Sequence, residues 1–135
     1  MRFPVLILLS MILSSVSTSK WDASTVASHF LSEFEKALNS KDAFKILAHF
    51  SPQKGNNDIS TRKLIKELSN WHGSFNNARF TRKTGGDVEV SVVFSNPQVQ
   101  RRLKKTEFVL ESNGVMSYSG WTIKSMTNII TVRTP

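Results

Sequence analysis

The spacing of the hydrophobic residues changes once along this chain, near Phe75. Before that point they recur about every 3.6 residues, which is typical of helices with one buried face. Beyond it they alternate with polar residues, which is typical of half-buried strands. Helices followed by strands are characteristic of an α+β domain, in which the apolar helix faces cover one face of a sheet. The sequence therefore predicts three N-terminal helices packed on a four-stranded antiparallel sheet.

The three predicted helices cover residues 24–39, 43–50 and 61–71. Each begins next to a polar residue that can accept a hydrogen bond from a free backbone amide at the helix start. These candidate caps are Asp22 or Ser24, Asp42 and Ser60. In the second helix, helical spacing predicts a buried stripe of Phe44, Leu47 and Phe50.

The four predicted strands cover residues 77–84, 87–94, 103–111 and 121–130. Gly85-Gly86 indicates a two-residue hairpin turn between the first two strands, because both positions accept a positive φ. Alternation places Met126 on one side of the fourth strand. It places three residues on the other side, namely Trp121, Ile123 and Ile129.

The first nineteen residues have the composition of a secretory signal peptide. Arg2 precedes a short apolar run at residues 5–13, and small polar residues follow that run up to Ser19. The apolar run is about half as long as the ~18 residues that a membrane-spanning helix needs. The sequence therefore predicts a signal peptide at residues 1–19, no transmembrane segment, and secretion of a single domain at residues 20–135.

The chain contains no cysteine, so neither disulfide bonds nor cysteine-type zinc sites can stabilise it. We expect a hydrophobic core to hold the domain instead, which is feasible at this length. The formal net charge of the whole chain is +8, and Arg2 is the only charged side chain among residues 1–19. The chain without these residues therefore remains strongly basic. Such a charge attracts polyanions, and it also keeps a small protein soluble.

Three segments, in their order, point to a known family. Residues 34–42, Phe-Glu-Lys-Ala-Leu-Asn-Ser-Lys-Asp, contain a helix end, a short polar break and an aspartate; a second helix follows at residues 44–52, and Gly-Trp-Thr-Ile stands at residues 120–123. In this arrangement the chain resembles the nuclear transport factor 2-like superfamily, which includes SnoaL-like and ketosteroid isomerase-like proteins. The resemblance implies a cone-like α+β roll with a curved sheet and, in some members, an apolar pocket and enzymatic activity.

The carboxylates used by the ketosteroid isomerase-like enzymes are not carried over to this sequence. The resemblance would place one on an insert between the second and third helices, but that connection is short here. Asp58, the acid in it, is more simply a residue that favours the start of a helix. The second carboxylate would fall near Glu89 or Glu107, which alternation places on the side facing water. No histidine pair has a metal-ligand spacing, so we expect no catalytic residue, no metal and no cofactor.

Four side chains are candidates for lining a pocket. His29 and His49 adjoin the apolar stripes of the first two helices, and Trp71 and Trp121 are large apolar residues. Each of the four can equally be an ordinary core or helix-edge residue, since aromatic residues most often fill cores.

The densest group of basic residues comes at the start of the third predicted strand. It could bind a polyanion such as a sulfated sugar, or phospholipid headgroups, and it could equally be a solvated sheet edge that discourages aggregation. The sequence has no RNA-binding strand motif, so no specific nucleic acid is expected. The group consists of Arg101, Arg102, Lys104 and Lys105.

These observations favour a secreted, non-enzymatic module that binds a small apolar ligand or a protein partner. One alternative is a small-molecule isomerase or dehydratase, which would need a carboxylate or histidine inside the cone. A second alternative is a cationic protein that binds polysaccharide or membrane surfaces.

N-terminal sequencing of the secreted protein tests the predicted processing. We expect the mature chain to begin at Thr18 or Lys20, because small residues at positions 15, 17 and 19 suit the signal peptidase. Recovery of a membrane-embedded protein that still begins at Met1 would contradict this prediction.

Overall fold

The computed structural model describes residues 21–52, 60–83, 85–112 and 119–134. The expected signal peptide at residues 1–19, and Asp58, lie outside these ranges. Over the described residues, helices come first in the chain and an antiparallel sheet follows. This arrangement confirms the predicted α+β order and the packing of helices on an antiparallel sheet.

Helix α1 (Ala23–Ser40) is the longest element that covers the sheet. It begins where the Asp22 carboxylate accepts a hydrogen bond from the Thr25 amide at 2.7 Å, as the capping prediction requires. It ends at Lys41, whose left-handed conformation (φ 60°) turns the chain out of the helix. Its apolar stripe is buried and includes Val26, Phe30, Phe34 and Leu38.

Helices α2 (Ala43–Leu47) and α3 (Thr61–Leu68) begin at the predicted caps but end earlier than predicted. The Asp42 carboxylate accepts a hydrogen bond from the Phe44 amide at 2.9 Å, and the Ser60 hydroxyl accepts one from the Lys63 amide at 3.2 Å. These two helices are therefore shorter than the sequence pattern indicates. None of the helices in the described ranges combines the length and the apolar character needed to cross a bilayer.

The predicted buried stripe of α2 is wrong at two of its three positions. Phe44 is 85% exposed and Leu47 is 43% exposed, whereas Ile46 is buried, as is Phe50 beyond the helix. The helix ends after five residues, and the chain is then anchored to the sheet by a bridge between Phe50 and Ile123. With Phe50 held there, the helix residue that faces the core is Ile46 and not Phe44.

Over the described residues the sheet has five strands, so the prediction of four is wrong. Strands β1 (His72–Arg82), β2 (Gly85–Ser95), β3 (Arg102–Ser112) and β4 (Trp121–Met126) are neighbours in that order. Strand β5 (Ile130–Arg133) pairs with the first residues of β3, on the edge whose later residues pair with β4.

The fourth predicted strand is divided because residues 127–129 leave the ladder. The Thr106 hydroxyl donates a hydrogen bond to the Thr127 carbonyl at 2.8 Å, and the Thr127 hydroxyl accepts one from the Glu107 amide at 2.8 Å. The Thr127 amide also donates a hydrogen bond to the Glu107 carbonyl at 3.0 Å, so Thr127 stays beside β3 although it lies outside both strands.

Strand β4 contains a bulge, and the predicted sides of its residues are therefore partly wrong. Leu110 pairs with Ile123 while Val109 pairs with Ser125, so Lys124 is an extra residue. The extra residue reverses the alternation, and Met126 therefore lies against the core on the same side as Ile123 rather than opposite it. Trp121 also packs against the core but is only half-buried.

The hairpin between β1 and β2 also differs from the prediction. Arg82 pairs with Gly85, so both glycines of the pair lie in β2 and not in the turn itself. Gly85 and Gly86 have φ values of 119° and 100°, which other residues rarely adopt.

The core lies between α1 and the inner face of the sheet. The predicted alternation of β2 is confirmed, since every second residue from Val88 to Phe94 is buried. Gly73 in β1 gives the Phe94 ring room to pack, because a Cβ at residue 73 would lie 3.0 Å from that ring.

Truncation of a core aromatic residue tests this packing against a matched control. We expect Phe34→Ala to lower the free energy of unfolding by about 3–5 kcal/mol, since Phe34 is fully buried. Phe44→Ala makes the same chemical change at an exposed site and should cost less than about 0.5 kcal/mol. Equal losses for both variants in urea melts would contradict this arrangement of the helices.

Candidate functional site

Aromatic side chains fill the space between α1 and the sheet. The rings of Phe30 and Phe34 are stacked with centroids 5.6 Å apart, and both meet Phe108 of β3 edge-on at 6.0 and 5.7 Å. These separations are those of favourable aromatic pairs. All three side chains are at most 1% exposed, so this part of the interior is occupied by the protein itself.

His49 is part of the same cluster. Its ring meets both Phe30 and Phe34 edge-on, with centroids 5.7 Å apart in each case, and the residue is 1% exposed. Its Nδ1–H donates a hydrogen bond to the Lys45 carbonyl at 2.8 Å, which holds the ring in place. The candidate pocket residue thus lies inside the domain, where it packs as a core side chain.

Burial lowers the pKa of His49 below its ordinary value of 6.5. Desolvation disfavours the charged ring most strongly, and the contact with the Lys45 carbonyl and the charge of Glu33 oppose this effect only in part. His49 is therefore neutral in the folded protein at neutral pH.

The segment after α2 attaches the helices to the edge of β4. The Ile123 amide donates a hydrogen bond to the His49 carbonyl at 2.7 Å, and the Ser51 amide donates one to the Ile123 carbonyl at 2.9 Å. The Ser51 and Thr122 hydroxyls share a buried hydrogen bond of 2.7 Å. These bonds fix the backbone of His49 on the sheet.

The other three pocket candidates lie in separate surroundings. His29 is half-buried and meets the Trp21 ring edge-on at 5.4 Å. Trp71 is buried below the Lys104 ammonium group, whose Nζ lies 4.4 Å from the ring centroid. Trp121 is half-buried at the start of β4. The ring contacts of the described residues do not connect these side chains with His49.

The carboxylates considered for catalysis lie on the outer face of the sheet. Glu89 is paired with Arg79, with Oε1 and Nε 3.4 Å apart, and Glu107 is exposed. Both alternate with buried neighbours in their strands. Among the described residues, no group of three metal-ligating side chains lies close enough together to hold a metal ion.

The four residues of the basic cluster do not share one surface. Arg101 and Arg102 are exposed, but the Lys104 ammonium group is engaged with the Glu67 carbonyl and the Trp71 ring. Lys105 points to the opposite face of the sheet, since successive strand residues alternate. Sequence reasoning missed Arg133, which joins the cluster because it pairs with Arg102 across β3 and β5.

A known protein family matches the chain over residues 21–130. The family is described as an NTF2-like domain. No curated protein and no solved structure matches the chain significantly. The matched residues include helices α1 to α3 and strands β1 to β4.

The pKa of His49 predicts a pH-dependent stability. An unfolded chain binds a proton near pH 6.5, whereas folded His49 does so only at a lower pH. The free energy of unfolding should therefore fall as the pH drops through 6.5, by at most about 1.4 kcal/mol per pH unit. Urea melts between pH 8 and pH 5.5 measure this slope.

One variant identifies the residue responsible. His49→Phe should remove most of the decline, because it replaces the buried imidazole with a ring that does not titrate. A wild-type stability that stays constant between pH 8 and pH 5.5 would show that His49 is not desolvated.

Proposed function

The chain belongs to the NTF2-like domain family, and we propose that it is a secreted, non-enzymatic member that binds a protein partner through its surface. The signal-peptide composition of residues 1–19 supports secretion. The packed interior supports surface binding, and an exposed apolar pair on α2 supports a protein partner.

The packing of the interior is the observation that carries the proposal. Acid–base catalysis needs a titratable group that reaches the substrate. His49 is the buried titratable side chain among the described residues, and Phe30 and Phe34 lie against its ring. A substrate or a small apolar ligand would have to displace these aromatic rings to reach it, so the arrangement favours a ligand outside the cluster.

The exposed pair on α2 is suited to contact with another protein. Phe44 and Leu47 are exposed to water. Full burial of an exposed side chain of this kind against a partner contributes about 1.5–3 kcal/mol. Lys41 and Lys45, both exposed, lie beside them in the chain. An apolar centre with basic residues at its rim fits a partner that has an apolar pocket and acidic surroundings.

Affinity capture from extracellular fluid tests this surface. The immobilised mature chain should retain a protein partner, and the double variant Phe44→Ser, Leu47→Ser should retain at least about tenfold less of it, because the variant loses the apolar anchors. Ile130→Ser is the matched control, since Ile130 is a large aliphatic residue that is 61% exposed elsewhere. Equal retention by all three proteins would contradict the proposed surface.

An activity assay tests the non-enzymatic part of the proposal. We expect no turnover of ketosteroid or polyketide-like substrates above the buffer rate. A measured rate that disappears in His49→Ala would overturn this part, because it would show that substrates reach the interior.

A further inference from the structure

An open groove lies where β3 begins and β5 ends. Its volume is about 560 Å³, and its wall includes Arg101, Arg102 and Arg133. The volume falls within the range of sites for small ligands. The described residues that line it include no acidic side chain, so the groove concentrates positive charge.

The pairing of the strands places two of these arginines face to face. Arg102 and Arg133 are direct partners in the antiparallel ladder, so their side chains leave the same face of the sheet. Like charges opposite each other destabilise a sheet. The four ion pairs between described residues join other side chains. A bound anion would therefore relieve a repulsion that the fold creates.

Arg101 contributes the third charge from an unusual backbone conformation. Its φ is 62°, in the left-handed region that a non-glycine residue occupies only at some energetic cost. Its carbonyl accepts a hydrogen bond from the Thr134 amide at 2.8 Å, which ties the two sides of the groove together. The positions of all three arginines are thus set by the ladder and its continuation, not by a loose loop.

We propose that this groove binds the sulfate groups of an extracellular sulfated polysaccharide. The guanidinium group offers paired donors that match two oxygens of one sulfate, and it stays charged at any physiological pH. Gln100 and Thr134, which also line the groove, can form hydrogen bonds with sugar hydroxyls.

The shape of the site favours a polysaccharide over a membrane. A flexible anionic chain can enter a concave groove, whereas binding to a bilayer surface usually relies on apolar side chains that project from the protein. The apolar residue in the wall, Val99, is half-buried and packs against the core. This site is separate from the Phe44–Leu47 pair and does not depend on it.

Calorimetric titration of the mature chain with a heparin hexasaccharide tests the proposal. We expect binding that weakens with added salt. The double variant Arg102→Gln, Arg133→Gln should weaken it by at least about tenfold, because two charged hydrogen-bond donors are lost. Arg102→Lys, Arg133→Lys keeps the charge but not the paired donors, and should bind with an intermediate affinity.

The control pair is Arg62→Gln, Arg82→Gln, which removes the same charge from two other exposed arginines. It should change the affinity by less than about twofold, since neither Arg62 nor Arg82 lines the groove. Equal weakening by both Gln pairs would overturn the proposal and leave only a net-charge effect. Undiminished affinity for the hexasaccharide without its sulfates would overturn it, as would binding to phosphatidylserine vesicles but not to the hexasaccharide.

Discussion

The contact between the phenylalanines of α1 and Phe108 of β3 fixes how the helices lie on the sheet. Phe30 and Phe34 are adjacent on one helix face, and both rings meet Phe108 edge-on. The chain has no cysteine, so no disulfide can replace this packing. Aromatic burial of this kind contributes several kcal/mol for each ring, which is a large share of the stability of a small domain. The ring of His49 packs against the same two phenylalanines of α1.

The same packing decides what the interior can do. In an open cone, a buried histidine could work as an acid or base, because burial and neighbouring groups tune its pKa. In this protein, His49 is enclosed by aromatic rings, and its Nδ1–H is committed to the Lys45 carbonyl. The desolvation that lowers its pKa therefore comes from the packing of the core.

Strand pairing determines which surface charges act together. Lys104 and Lys105 are adjacent in sequence, yet the first interacts with Trp71 and Glu67 while the second faces the other side of the sheet. Arg133 is 31 positions from Arg102 in the sequence, and the ladder between β3 and β5 makes them direct neighbours. The groove therefore arises from antiparallel pairing and not from the local run of basic residues.

The sequence by itself was sufficient for features that depend on neighbouring residues. The buried stripe of α1 follows from helical spacing alone. The caps Asp22, Asp42 and Ser60 were readable because each lies only two or three residues from the amide that it accepts from. The alternation in β2 was readable because the strand is regular and one face is buried. The order of elements was enough to identify the family, whose match covers residues 21–130.

Only the tertiary structure decided the features that depend on distant partners. Phe44 is exposed, and α2 ends before Phe50, which pairs with the distant Ile123. The bulge at Lys124 and the break after Met126 result from pairing with β3, and they change the sides and number of the last strands. The interior environment of His49 and the grouping of Arg101, Arg102 and Arg133 have the same origin. A sequence pattern records local periodicity, whereas these features arise from contacts between residues far apart in the chain.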